Sequence, residues 1–257
     1  MLKCFDLTGK ICFVTGASKG IGFALANALA QSGSDLFICA RNGDMLQESA
    51  EKLAQNGTRV EHMILDIVDA NEAQNVVIQA VQMFGRIDVL VNNAATGRDN
   101  IPPEDFPLEL WDRVLNINVT GQFNMAQIVG RQMIKQRAGK IINIASMSGL
   151  IINRGVHGGA YDVSKHALIG LTKALAVEWV RYGIQVNALA PGYVMTDPNR
   201  EYFEKNPGLK PLLEQHIPMG RIAETDELGG AIVMLASSAS DYMCGSTLVI
   251  DGGYTVW

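Results

Sequence analysis

Along this chain, short runs of consecutive apolar residues alternate with stretches whose apolar positions recur at helical spacing. The runs Lys10–Thr15 (KICFVT), Asp35–Ala40 (DLFICA), Arg59–Leu65, Ile87–Val91, Lys140–Ala145 (KIINIA), Gln185–Leu189 and Ser246–Ile250 read as strands. Between them, Ile21–Gln31 places Ile21, Leu25, Ala28 and Leu29 on one helical face. Asp44–Gln55, Asn71–Phe84, a long stretch from Leu108 to Gln136, Tyr161–Tyr182 and Thr225–Ser237 follow the same periodicity.

Strands that are apolar throughout, rather than at alternate positions, are covered on both faces. Their regular alternation with helices predicts an α/β fold: a single-domain, doubly wound Rossmann-type fold with a seven-stranded parallel sheet and helices on both faces. No linker-like composition divides the chain, so residues 1–257 are expected to form one catalytic domain. Pro191–Ala223 breaks the rhythm, with Pro191, Pro198, Pro207, Pro211 and Pro218 in one stretch. It predicts a long irregular insert, at about 191–223, beyond the C-terminal end of a strand, where ligands bind in such sheets. A plain solvated connection is the alternative.

Composition narrows the function classes. Hydrophobic residues make up 48% and charged residues 18%, as in a chain with a substantial core. The net charge of −5 gives no broad attraction for nucleic acid or anionic lipid, so neither is expected as a partner. Cys4, Cys12, Cys39 and Cys244 show no C-x-x-C spacing and no histidine cluster, so no metal site is expected. No apolar run reaches the roughly 18 residues of a membrane span, and Met1–Asp6 lacks the core of a signal peptide; a cytoplasmic protein is expected.

The first strand runs into Gly16-Ala17-Ser18-Lys19-Gly20-Ile21-Gly22. Glycines here let the chain turn tightly and bring backbone N–H groups of Gly16, Ser18, Lys19, Gly20, Ile21 and Gly22 to a dinucleotide pyrophosphate at a helix N-terminus. The second strand ends without a carboxylate and continues into Arg41-Asn42-Gly43. An acidic residue there would bind the ribose hydroxyl of NAD; Arg41, with Lys19, suits the 2′-phosphate of NADP. Ordinary surface charges are the alternative. Asp66, ending the third strand, is placed to meet the adenine, and Asn93 either stitches the sheet or touches the cofactor.

Tyr161 and Lys165 lie four residues apart on a predicted helix, hence one turn apart on one face. An ammonium beside a phenol favours the phenolate and makes it a usable general acid or base. Ser146 and Ser148 follow the fifth strand at the ligand-binding edge, and Asn118 is a polar residue inside a helical stretch that needs a partner. His157 reads as a loop residue, near substrate or merely solvated, and His166 as a packing residue. Ser146 lacks a G-x-S-x-G elbow, which argues against a hydrolase.

Together, Thr15–Gly22, Asn92-Asn93-Ala94, Asn118, Ser146, Tyr161-Asp162-Val163-Ser164-Lys165, Pro191-Gly192 and Asp251-Gly252-Gly253 resemble, in order and across the whole chain, the classical short-chain dehydrogenases/reductases. The resemblance implies an oxidoreductase moving a hydride between NADP and a ketone or secondary alcohol. It implies a tetrad of Asn118, Ser146, Tyr161 and Lys165, in which Tyr161 carries the proton, Ser146 orients substrate, Lys165 bonds the nicotinamide ribose and Asn118 holds a relaying water. It places Pro191, Gly192, Val194 and Thr196 beside the nicotinamide and suggests a homotetramer. Two departures stand out: Ala95 replaces a usual glycine, and Ser148 rather than Ser146 has the family's commoner spacing of 13 residues before the tyrosine. Ser146 is preferred because it comes first after the strand. The Pro191–Asp197 segment is similar to sugar-acid and polyol members; a reductase of carrier-bound 3-oxoacyl groups is the rival, although Val177 stands where it would want an arginine and only Arg131, Lys135 and Arg137 offer a basic patch. A non-catalytic NADP-binding sensor or scaffold is the alternative of another class.

Overall fold

The computed structural model describes residues 2–256. Strands β1 (Ile11–Thr15), β2 (Asp35–Ala40), β3 (Val60–Ile64), β4 (Val89–Asn92), β5 (Gly139–Ile144) and β6 (Ile184–Pro191) are joined by helices α1 (Gly20–Gln31), α2 (Gly43–Ala54), α3 (Ala70–Phe84), α4 (Leu108–Leu115), α5 (Gln122–Gln136) and α6 (Gly159–Trp179). After β6 come β7 (Val194–Met195), α7 (Asp197–Lys205), α8 (Leu209–Glu214), β8 (Ala223–Glu224), α9 (Gly229–Ala236) and β9 (Thr247–Ile250). The main sheet has the order β3-β2-β1-β4-β5-β6-β9, with every pairing parallel. All seven predicted strands are present.

The order reverses between β1 and β4. Crossovers leave these neighbouring strands in opposite directions and open a crevice at their C-terminal ends. Every residue of β1 is buried, which is why the strand reads as an unbroken apolar run. One core layer joins α1, α2 and α9 to one face through Leu25, Leu29, Leu36, Leu46 and Ile232. The other packs α3 and α5 against the opposite face, where Phe13 and Phe37 stack at 4.9 Å between ring centroids.

Two of the helix starts are set by side chains. Asn42 accepts a 3.0 Å bond from the Met45 N–H and so caps α2, while Asp69 caps α3 through 2.9 Å bonds from Asn71 and Glu72. The long stretch from Leu108 to Gln136 is not one regular helix. A π-helical turn over Asn116–Gly121 separates α4 from α5.

The segment 191–223 differs from the expected irregular connection. It holds two short helices and the parallel β7–β8 pair. Its prolines punctuate rather than forbid helix: Pro198 occupies the opening turn of α7 and Pro211 that of α8, where no intrahelical N–H bond is lost. A small cluster of Met147, Met195, Ile217, Ile222 and Tyr254 fastens it to the sheet.

Candidate active site

Along the C-terminal edge of the sheet runs a cleft of about 660 Å³. At one end is the glycine turn after β1. Gly16 sits at φ 67°, a left-handed conformation that an L side chain resists, and a Cβ there would approach within 2.9 Å of the Ala94 backbone and Asn93 amide. A Cβ on Gly22 would run into the Gly16 carbonyl oxygen. These two positions keep the turn flat against β4, and α1 opens into the cleft with no side chain capping it. The cleft floor there is therefore backbone N–H groups and a helix dipole, which suits a dinucleotide pyrophosphate.

Ser18, Lys19, Gly20, Ile21, Arg41 and Asp66 line the same end. Lys19 and Arg41 are exposed at its rim. Neither forms an ion pair among the described residues, leaving both cations free for a phosphate. Asn93 borders the cleft, but its side chain is committed to stitching: its amide donates to the Thr15 and Gly16 carbonyls at 2.9 and 3.2 Å. Pro191, Gly192, Val194 and Thr196, at and just beyond the end of β6, also line the cleft.

Tyr161 and Lys165 project from α6 into the middle of the cleft. The Lys165 ammonium donates to the Ile144 carbonyl at 2.9 Å and lies 5.6 Å from the Tyr161 ring centroid. Burial lowers its pKa to about 8. The Tyr161 hydroxyl and Ser146 line the cleft as neighbours. Burial pushes the phenol above its ordinary value, while the neighbouring Ser146 hydroxyl and the Arg98 charge pull it down and Asp162 raises it. Two cations therefore flank the ring: Lys165, as helical spacing leads one to expect, and Arg98, whose guanidinium lies 5.3 Å from the ring centroid.

The two candidate serines separate. Ser146 faces Tyr161 and accepts a 3.1 Å bond from the Ser148 N–H. Ser148 is buried and engaged elsewhere, accepting from Arg98 Nη2 at 2.9 Å and donating to the Asn153 amide oxygen at 2.9 Å. The ten residues Gly149–Gly158 bulge between strand and helix, which accommodates the longer spacing of Ser146. Asn118 lies fully buried in the π-helical turn, outside the cleft lining. Its side chain accepts from Thr96 N–H at 2.8 Å and donates to the Thr96 carbonyl at 3.1 Å and Ser164 Oγ at 3.0 Å. It staples the loop after β4 to α6. His157 is exposed on the bulge, and exposed His166 packs its ring nitrogen against the Asp162 carbonyl at 2.9 Å.

Sequence reasoning missed Arg98, Asp162, Asn153 and Tyr193. The Arg98–Asp162 pair is 2.5 Å long, with the two side chains 15% and 3% exposed. Asn153 accepts from both Arg98 Nη atoms at 3.0 and 3.1 Å. Tyr193 closes the group, its phenol pushed up to about 12 chiefly by burial. A signal existed for Arg98, a cation just beyond the C-terminal end of a central strand, and Asp162 sits inside the Tyr-x-x-x-Lys motif itself.

Comparison with known proteins identifies relatives over nearly the whole chain. A family model described as enoyl-(acyl carrier protein) reductase matches residues 16–255. A 2-dehydro-3-deoxy-D-gluconate 5-dehydrogenase of Bacillus subtilis is 41% identical over 252 residues, 97% of this chain and 96% of that protein. A 3-oxoacyl-[acyl-carrier-protein] reductase of Thermotoga maritima is 39% identical over 253 residues, covering 97% and 99%. The crystal structure of a gluconate 5-dehydrogenase from Burkholderia cenocepacia, in complex with NADP and tartrate, superposes with a TM-score of 0.93 at 36% identity, covering 100% of this chain and 99% of that one. No helix among the described residues is long and apolar enough to cross a membrane. With fold, cleft and matches all in agreement, the chain is a member of the short-chain dehydrogenase/reductase family.

Proposed function

We propose that this protein is an NADP-dependent oxidoreductase that interconverts a small polyhydroxy ketone, of the sugar-acid or polyol kind, with its secondary alcohol. The observation that carries the reading is the meeting of Ser146, Tyr161 and Lys165 in one cleft with the uncapped α1 N-terminus. The glycine turn binds the pyrophosphate through backbone N–H groups, and Arg41 with Lys19 holds the 2′-phosphate. Asp66 borders the adenine, and Pro191, Gly192, Val194 and Thr196 border the nicotinamide. NADPH, when bound, supplies the hydride that the carbonyl carbon takes.

Tyr161 does the proton work. Its burial keeps the phenol protonated at neutral pH, so it delivers a proton to the carbonyl oxygen in reduction and takes one back in oxidation. Ser146 shares the substrate oxygen with Tyr161 and orients it. Lys165 is assigned the further role of bonding the nicotinamide ribose. The Asn118 side chain is already committed, so its contribution is assigned to a water held at the main chain of the π-helical turn. The polar wall of Arg98, Ser148 and Asn153 favours a hydroxylated substrate over an acyl chain. We place the enzyme in the cytoplasm as a homotetramer, a state that light scattering reads directly.

The test is NADPH oxidation against a panel of keto-gluconates, ketoses, 3-oxoacyl thioesters and aromatic ketones. Turnover is expected with the first two, and Tyr161→Phe is expected to lower kcat by roughly a thousandfold or more. Tight NADPH binding without turnover on any member would favour a sensor, and preference for the thioesters a carrier-dependent reductase.

A further inference from the structure

The cleft contains one charged pair that the acid–base scheme above does not use. Arg98 comes from the loop after β4 and Asp162 from the residue following Tyr161 on α6. A buried ion pair is a poor device for stability, because removing both ions from water costs about what their attraction returns. This pair is also incompletely satisfied: Arg98 Nε and Asp162 Oδ2 are buried with no partner among the described residues. A cross-link serving only the fold would leave fewer unpaired atoms. Its position is informative, for the guanidinium lies over the Tyr161 ring at 5.3 Å from the centroid.

The charged and titratable groups around Tyr161 come from three places. Arg98 faces it from the loop after β4. Asp162 and Lys165 flank it on α6, with Lys165 donating to the Ile144 carbonyl. Tyr193, from beyond β6, faces Arg98 rather than Tyr161. Lys165 is anchored on the strand side of the ring, so Arg98 supplies the second positive charge and Asp162 moderates it. Ser148 and Asn153 hold the guanidinium in place through four contacts of 2.9 to 3.1 Å within the group.

We propose that Arg98, restrained by Asp162, is a positioning residue that sets the charge around the Tyr161 hydroxyl and so, together with Lys165, fixes the pH range over which Tyr161 passes its proton. The inference rests on Tyr161 being the acid–base group. A cation near a phenol favours the phenolate and an anion opposes it, so the two partners act in opposite directions. A purely structural role would make them act in the same direction, since either change breaks the same bond.

The experiment titrates Tyr161 in the NADP-saturated enzyme by the ultraviolet absorbance of tyrosinate, taking as its signal the step that vanishes in Tyr161→Phe. Arg98→Met is expected to move that step up by on the order of one pH unit, as expected for one charge several ångströms away at intermediate dielectric. Asp162→Asn is expected to move it down, Arg98→Lys to leave it near the wild-type position, and the double variant Arg98→Met/Asp162→Asn to fall between the single ones. Should Arg98→Met fail to fold by thermal melting, the downward step in Asp162→Asn decides alone. Steps that move the same way in both single variants, or not at all, overturn the proposal. So does an Arg98→Met variant whose titration is unchanged while KM rises only for keto-gluconates, which would make Arg98 a reader of the substrate carboxylate. The two readings fail separately: turnover surviving in Tyr161→Phe removes the proposed function, whereas an inactive Tyr161→Phe with unmoved titrations removes only the role of Arg98.

Discussion

The two ends of the cleft are built differently. The cofactor end rests on β1 and β2, whose residues are almost all buried, and on a turn where added Cβ atoms would meet backbone. The substrate end rests on 193–222, where α7 buries no residue and α8 buries only Leu213. There the fastenings are a small apolar cluster and surface ion pairs, Arg200–Glu224 at 2.5 Å and Arg221–Glu227 at 2.6 Å. Close packing fixes the half that must be the same in every turnover. Loose anchoring leaves the substrate half free to move and to vary, since elements with few buried contacts open at low cost.

That contrast can be tested in order of effect. Gly22→Ala is expected to do most damage, because its Cβ meets the Gly16 carbonyl oxygen, an atom that cannot step aside. Loss of NADPH binding and a destabilisation of roughly 2 kcal/mol or more should appear in fluorescence titration and denaturant melts. A variant that binds NADPH normally would show the cofactor end to be softer than its packing says. Arg41→Asp should come next, weakening NADPH binding by on the order of a hundredfold and narrowing the preference over NADH, read by competition binding.

Lys165 sharpens the comparison through pH. Burial lowers its pKa from 10.5 to about 8, so between those values the unfolded chain binds more protons than the folded one. Stability of the cofactor-free enzyme should therefore climb from pH 8 towards 10.5. In Lys165→Met that climb should flatten while turnover collapses, a pattern visible in thermal melts across the pH range. The smallest effect is expected at Arg221→Ala, on the exposed substrate end. Its hydrogen bond holds Glu227 well below the usual carboxylate range, at about 2. The pair's contribution is present above the ordinary glutamate pKa and is lost only as pH falls towards 2. Surface pairs contribute little, so the melting temperature should shift by about a degree at neutral pH, with KM changing more than kcat. A large stability loss would mean the insert is integral to the core.

What could be read from the chain follows the same division. Strands buried on both faces announce themselves as apolar runs, and all seven were legible for that reason. The glycine turn was legible because a left-handed φ and a close approach demand glycine. The insert was not, since β7 and β8 are two residues each and a ribbon that short has no period. Arg98 stayed hidden because its meaning lies in a partner 64 residues away, which no local pattern encodes. Ser146 ranks above Ser148 by its place directly after the strand, but what occupies Ser148, the Arg98 guanidinium from far along the chain together with Asn153, was not legible.

The π-helical turn at Asn116–Gly121 carries one consequence for how this protein tolerates change. An extra residue in a turn advances the phase of the rod by about 100°, so its two halves present differently oriented flanks. That is how one rod leans on α6 with its first half and on α3 with its second. Deleting a single residue between 116 and 121 would restore a regular helix and swing Leu108–Leu115 round its own axis, carrying Val114 out of its buried seat. A length change of one residue in the exposed turn at Arg154–Gly155, beyond the buried Asn153, costs little by comparison. The chain's least forgiving place for a single-codon indel is therefore an ordinary-looking stretch of helix.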